Sequence, residues 1–167
     1  MIHIMSSANA QDYYRQGEQF LEAAWRCYGK KEIEIFHLIE SGKIQQLPAA
    51  CAVNAVFSCE MFLKSLLIKM HISYDLYTDG GNLYSLFKKL PENVQDDIAK
   101  YCGAKNDKDV FENVIKEYSK EFADIRSFIE YDGGSEMSPI IIIAIADSLS
   151  KIAGYFLDFF ETDRKLC

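Results

Sequence analysis

The chain has 167 residues, enough for one domain with its own core, since a protein of this length buries about 70% of the surface that its unfolded chain exposes. Its composition, 49% hydrophobic and 26% charged, is that of a globular protein and excludes a disordered or fibrous one. A net charge of -7 argues against a protein that grips nucleic acid over a broad surface, because such surfaces need clustered Lys and Arg.

The first part of the chain predicts three helices. Apolar residues at helical spacing place the first helix between Gln11 and Tyr28, with Ser7 or Asn9 as its N-cap. A shorter helix is predicted from Lys31 to Ser41. From Ala49 to about Met70 the chain is apolar on almost every side, which is typical of a helix surrounded by others. We therefore expect this third helix to be the centre of the fold.

The second part predicts two short helices and two long ones. The short ones run from Asn82 to Leu90 and from Pro91, as the first helical residue, to a stop at Gly103. Asn106 or Asp107 caps a long helix, and the last helix runs from Pro139 to about Asp163. The capped helix carries an apolar stripe with the spacing of a tightly packed helix pair: Phe111, Ile115, Tyr118, Phe122, Ile125 and Ile129.

These elements predict a single domain over residues 1–167. Its fold class is all-α, an up-and-down helical bundle of four long helices plus short helices. The β-branched run "PIIIIAIA" at Pro139–Ala146 is compatible with a strand by itself, but its long periodic continuation favours a helix.

The cysteines and the most apolar segments bear on location. The five cysteines form no CxxC pair and are odd in number, which predicts reduced thiols. The amino terminus lacks the pattern of a signal peptide. Asp147 and Lys151 interrupt the run after Pro139 before it reaches the ~20 residues of a membrane span. We therefore predict a soluble, cytoplasmic protein without a membrane segment.

Common catalytic and cofactor motifs are absent from the sequence. His3, His37 and His71 are each isolated, and no HExxH motif or Cys/His cluster offers the ligands of a metal site. The two DGG segments, at Asp79–Gly81 and Asp132–Gly134, are most simply turns, because glycine supplies the positive φ that turns need. No metal or cofactor is predicted.

Glu60 and Lys64 are the notable polar residues of the central helix. They lie one turn apart in the favourable acid-before-base order. A buried Glu60 needs a cationic partner, because an unpaired charge in the core is costly, and Arg126 is one candidate. The pair is either a buried ionic tie that sets helix register or part of a polar cleft.

Three segments in series resemble the HEPN domain family (higher eukaryotes and prokaryotes nucleotide-binding). They are "CEMFLKSLL" at Cys59–Leu67, "GGNLYSLFKKLP" at Gly80–Pro91 and "FADIRSFIEYDGG" at Phe122–Gly134. Members have a Glu and a Lys in a central helix, a "GH.L..LF..L" segment, and an arginine late in the next long helix. The resemblance extends over about Ala49 to Phe160 and implies a bundle of four or five helices that commonly forms homodimers.

The resemblance also implies site residues. Many active members are metal-independent ribonucleases that use an arginine and, after a short spacer, a histidine; Arg126 matches the arginine. Tyr131, Asp132 and Gly133 stand where the histidine would fall, and Gly81 stands where many relatives have the histidine of "GH.L". Imidazole suits this chemistry because it titrates near neutrality, whereas a tyrosine, with a pKa near 10, is a poor base.

We therefore expect a non-catalytic or weakly active HEPN-like homodimer in a bacterial defence or toxin–antitoxin-like setting, which binds RNA, a nucleotide or a partner protein such as an antitoxin. Arg126, Glu130, Tyr131 and Asp132 would line its cleft, with Glu60 and Lys64 as the ionic framework behind them. One alternative is a metal-independent ribonuclease toxin that uses Arg126 with Tyr131 or a more distant histidine such as His71. Another is an interaction module for a nucleotidyltransferase.

Overall fold

The computed structural model describes residues 9–29, 48–75, 81–103, 108–123 and 139–157. All regular structure within these ranges is helical, as the sequence predicts. The described residues form six helices in chain order: α1 (Ala10–Tyr28), α2 (Pro48–Lys69), α3 (Leu83–Lys89), α4 (Glu92–Tyr101), α5 (Lys108–Ala123) and α6 (Pro139–Phe156). The helix predicted over 31–41 and the predicted ends of the last two long helices lie outside the described ranges.

Local sequence explains where α1 begins and ends. The Asn9 side chain accepts a hydrogen bond from the Asp12 N–H at 3.0 Å, and the Asp12 carboxylate accepts one from the Asn9 N–H at 3.2 Å. This reciprocal capping box satisfies two N–H groups that a helix start leaves without partners. At the other end Gly29 has φ 82°, a left-handed conformation that glycine adopts without the steric cost of a Cβ. Of the two predicted caps, Asn9 is therefore confirmed.

The short helices differ slightly from prediction. Asn82 is the N-cap of α3, where its side chain accepts from the Ser85 N–H at 2.9 Å, and is not its first helical residue. Pro91 likewise precedes α4, with ψ 146°, and the helix begins at Glu92. Proline can occupy either place because neither needs a backbone N–H.

Helix α2 is the centre of the core, as predicted. Phe62, Leu63, Leu66 and Leu67 are all at most 1% exposed. Helix α1 packs along one side of α2 and α6 along another, while α3 packs against a third and is itself covered by α5. The inward face of α6 has four buried residues, Ile142, Ala146, Leu149 and Ala153, and a partly buried one, Phe156. Phe160, also predicted to face inward, lies outside the described residues.

Helices α1 and α2 run antiparallel at close range. The Ser65 hydroxyl donates to the Ala10 carbonyl at 2.7 Å, and the Ser58 hydroxyl donates to the Gly17 carbonyl at 2.9 Å. Gly17 lies against the Phe62 ring, where a Cβ would stand 2.6 Å from Phe62 Cε1. Residues at seven-residue intervals on each helix thus meet in a fixed register.

Two of the helices, α2 and α6, are long and apolar enough to cross a membrane by length and composition. This is weak evidence, since the core helix of a soluble protein passes the same test, and 78% of the α2 window is buried within the bundle. The α6 window is 50% buried. Cytoplasmic location stays a prediction.

Cys51 and Cys59 of α2 are buried free thiols, and Cys102, directly after α4, is a partly buried one. Burial raises the pKa of Cys102 to about 11 and that of Cys51 to about 12, and it raises the pKa of Cys59 well above its usual range. Cys51 and Cys59 lie in the core, where a thiolate would lose its hydration.

We expect the stability of the protein to fall as pH rises from about 8.5 to 10. The unfolded chain releases its thiol protons near pH 8.5, whereas the folded chain retains them to higher pH, so the unfolded state is favoured as pH increases. Urea unfolding at pH 7.5, 8.5, 9.5 and 10 measures this decline. Cys51→Ala should flatten the curve, and equal stability at pH 7.5 and pH 10 would contradict the expected titration.

Candidate functional site

The candidate site is centred on the buried ion pair of α2. The Lys64 ammonium donates to Glu60 Oε1, and both side chains are 7% exposed. Lys64 is thus the cationic partner that a buried Glu60 was expected to need. The pair lies on an apolar helix, where an unpaired charge of either sign would be costly.

Glu60 also holds the beginning of α3. Its Oε1 accepts a hydrogen bond from the Gly81 N–H at 3.2 Å, one residue before the α3 N-cap. Gly81 has φ 77°, a conformation that favours glycine over residues with a Cβ. Position 81, where the resemblance suggests a histidine, thus carries a residue suited to this turn.

Two tyrosines complete the surroundings of Lys64. Its Nζ lies 5.8 Å from the centroid of the Tyr74 ring, a cation–π distance. Burial, the neighbouring Tyr13 side chain of α1 and the nearby Glu60 charge together raise the pKa of Tyr74. Glu60, Lys64, Tyr74, Tyr13 and Gly81 form what we call the Glu60 cluster.

The Glu60 cluster is chemically a framework. The Glu60 carboxylate accepts hydrogen bonds from the Lys64 ammonium and from the Gly81 N–H. Tyr74 places the segment after α2 beside the Glu60–Lys64 pair, and Tyr13 places α1 beside Tyr74. The cluster therefore brings α1, α2 and the start of α3 together.

A second set of hydrogen bonds links the same turn to α5. The Ser119 hydroxyl accepts from the Tyr84 N–H at 2.8 Å and donates to the Ile115 carbonyl at 2.7 Å. Tyr84 belongs to the first turn of α3, directly after Gly81 and the N-cap. The Glu60 pair and the carboxyl-terminal half of α5 are thus connected through the first turn of α3.

Charged side chains reinforce the contact between α3 and α5. Lys88 Nζ donates to Glu112 Oε1 at 2.9 Å, and this hydrogen bond is the main reason that the pKa of Lys88 is raised. The Gln95 side chain of α4 donates to the Leu90 carbonyl at 2.7 Å. These contacts hold the short helices between α2 and α5.

The structure describes two of the six predicted site residues, Glu60 and Lys64. The other four lie outside the described residues: Arg126, Glu130, Tyr131 and Asp132. Whether Arg126 approaches Glu60 is therefore still a prediction. His71, the distant histidine considered for a ribonuclease, is exposed just after α2, with φ 57° and its N–H bonded to the Ile68 carbonyl at 3.0 Å.

Sequence reasoning missed Tyr74 and Tyr13. Tyr74 follows α2 in a segment without helical periodicity, so no pattern connects it with Lys64. For Tyr13 a signal does exist. Small residues at Ala10, Gly17 and Ala24 recur every seven positions, as do Ser65, Ser58 and Cys51, and matching the two series predicts which part of α1 meets Lys64.

Within the described ranges, no group of three or more His, Cys, Asp or Glu side chains is placed to hold a metal ion. Comparison of the chain with protein-family models, with curated proteins and with solved structures gave no match.

Proposed function

We propose that this protein is a HEPN-like up-and-down helical bundle that binds RNA or a nucleotide and has little or no catalytic activity. It would act as a homodimer in a bacterial defence or toxin–antitoxin-like system, where an antitoxin or a nucleotidyltransferase is a possible partner. Arg126 would contact ligand phosphate, beside Glu130, Tyr131 and Asp132. Glu60 and Lys64 would support this cleft without touching the ligand.

One observation carries the proposal: the Glu60 pair is joined to the helix that leads toward Arg126. Glu60 binds Gly81, and Tyr84 in the next turn binds Ser119. Ser119 is seven residues before Arg126 in the sequence. The first two segments that carry the HEPN resemblance are therefore joined by a hydrogen bond, and the second is bonded to α5, the helix that precedes Arg126 in the chain.

Chemical reasons favour binding over catalysis. Metal-free RNA cleavage requires a base for the 2′-hydroxyl proton and an acid for the leaving oxygen. No histidine follows Arg126 within the spacing of the family motif. Glu60 and Lys64 are paired with each other, so neither is an available proton acceptor. An arginine can still bind phosphate through its fixed fork of N–H donors.

The test is a binding measurement on the full chain. Fluorescence anisotropy with a labelled single-stranded RNA and with ATP, at about 50 mM salt, should show saturable binding to at least one of them. Arg126→Ala should weaken that binding about tenfold or more, which corresponds to about 1.4 kcal/mol. Arg15→Ala, which removes an exposed arginine of α1, is the matched control and should stay within about twofold.

A cleavage assay in EDTA separates the alternatives. We expect the RNA to remain intact after prolonged incubation. Cleavage that Arg126→Ala abolishes and Arg15→Ala does not would establish the ribonuclease instead. Absence of binding to both probes would overturn the proposal, and association with a nucleotidyltransferase would then favour the interaction module.

A further inference from the structure

Helix α6 has a second patterned face. While one side of the helix is buried in the core, five residues on the other side recur at alternating intervals of three and four: Ile141, Ala144, Ser148, Lys151 and Tyr155. Ile141 is 47% exposed and Tyr155 is 58% exposed. We call these five residues the outer stripe. Such spacing is the pattern by which a helix packs lengthwise against another helix.

The two ends of the outer stripe are equidistant from Ser148. Ile141 and Tyr155 lie about two turns to either side of it. If two copies of α6 pack antiparallel around a twofold axis at Ser148, Ile141 of one copy meets Tyr155 of the other. The small side chains of Ala144 and Ser148 near the axis allow the helices to approach closely. A twofold interface requires this kind of self-complementary surface.

The charged residues of α6, Asp147 and Lys151, are compatible with the same twofold axis. Asp147 and Lys151 form an ion pair at 2.7 Å, with 40% and 53% of their side chains exposed. Around the proposed axis, Lys151 of one copy approaches Asp147 of the other, so each copy presents opposite charges to its partner. A lipid bilayer offers no such compensation, because both charges would be costly in hydrocarbon.

An aromatic residue of α4 widens the surface. Tyr101 is 56% exposed and lies close enough to Lys151 for its charge to affect the pKa of that lysine. Tyrosine is enriched in the centres of protein interfaces, because its ring buries a large area and its hydroxyl can still hydrogen-bond. The surface therefore extends from α6 onto the end of α4.

We propose that the outer stripe of α6 is the homodimer interface of this protein, with a second copy of the chain packed antiparallel on it. This proposal rests on the proposed function in one respect: it takes from it the expectation that the chain self-associates. It needs neither an RNA ligand nor Arg126, so the two proposals can fail separately.

Mass measurement tests the interface. Sedimentation equilibrium of the full chain at about 1–100 µM should give twice the chain mass of 19.1 kDa. Ser148→Glu should raise the dissociation constant at least about 100-fold, because two like charges then meet at the axis. Gln19→Glu adds the same charge to an exposed position of α1 and should leave the dimer unchanged. Circular dichroism should show the same helix content in all three proteins.

Charge reversal gives a second, independent test. Lys151→Asp should weaken the dimer by at least about tenfold, since it places like charges across the axis. The double variant Asp147→Lys with Lys151→Asp restores opposite charges between the copies and should recover the dimer. A general loss of folding would not be reversed by the second substitution.

Three results would overturn this inference. They are a monomeric wild-type chain at about 100 µM, a dimer that Ser148→Glu leaves intact, and a monomer that binds phosphatidylglycerol vesicles through the stripe. The last would make the face a membrane-binding surface. A wild-type dimer that binds neither RNA nor ATP would leave the interface standing and contradict the proposed ligand alone.

Discussion

Glu60→Leu is expected to lower the free energy of unfolding by about 3–5 kcal/mol, which is the usual cost of leaving one member of a buried ion pair without its partner. Lys64 would lose its carboxylate partner in surroundings where only 7% of its side chain reaches solvent. The Gly81 N–H would lose its acceptor as well. Urea unfolding at pH 7 measures the loss.

The double variant Glu60→Leu with Lys64→Met shows whether the pairing causes the effect. Replacing a buried ion pair by apolar residues of similar volume is often neutral or stabilising, so the double variant should recover most of the lost stability. Arg26→Met removes the cation of an exposed pair with the same spacing, Glu22–Arg26, and should cost less than about 1 kcal/mol. A double variant less stable than Glu60→Leu would contradict this account.

Gly17→Val is expected to destabilise the protein by about 2–3 kcal/mol, the scale of overpacking in a well-filled core. A Cβ at this position would stand 2.6 Å from Phe62 Cε1 and 2.8 Å from Phe62 Cδ1, and Phe62 is fully buried with little room to move. The effect should appear although valine is a better helix former than glycine. Thermal and urea unfolding both measure it.

Two further variants isolate the contact between α1 and α2. Gln16→Val places the same side chain on the exposed neighbouring position of α1 and should cost only about 0.5 kcal/mol through helix propensity. Phe62→Leu vacates space beside Gly17, so Gly17→Val and Phe62→Leu together should cost less than the sum of the two. Strict additivity would mean that position 17 does not meet Phe62.

Much of the helical structure is predictable because its signals are local. The spacing of apolar residues locates α1, α2 and α6, and Asn9 with Asp12 fixes the start of α1. Glu60 and Lys64 could be paired from their separation of one turn on a helix with no other charged neighbours. These inferences need only the geometry of a single helix.

The parts that could not be predicted depend on contacts between segments. The hydrogen bond from Gly81 to Glu60 joins a turn to a distant helix, and nothing in either segment identifies its partner. Tyr74 reaches Lys64 only because the chain turns back after α2. The HEPN resemblance suggested the neighbourhood of Glu60 and Arg126, and the residues around Arg126 lie beyond those that the structure describes.

The serine contacts between α1 and α2 have a consequence for how the protein can move. Ser58 and Ser65 hold carbonyls of α1 at two points separated by seven residues. Sliding α1 by one turn, about 5.4 Å, would break both hydrogen bonds and bring a larger side chain than that of Gly17 against the Phe62 ring. The pair is therefore expected to shift as one rigid body against its neighbours and not by a ratchet within it.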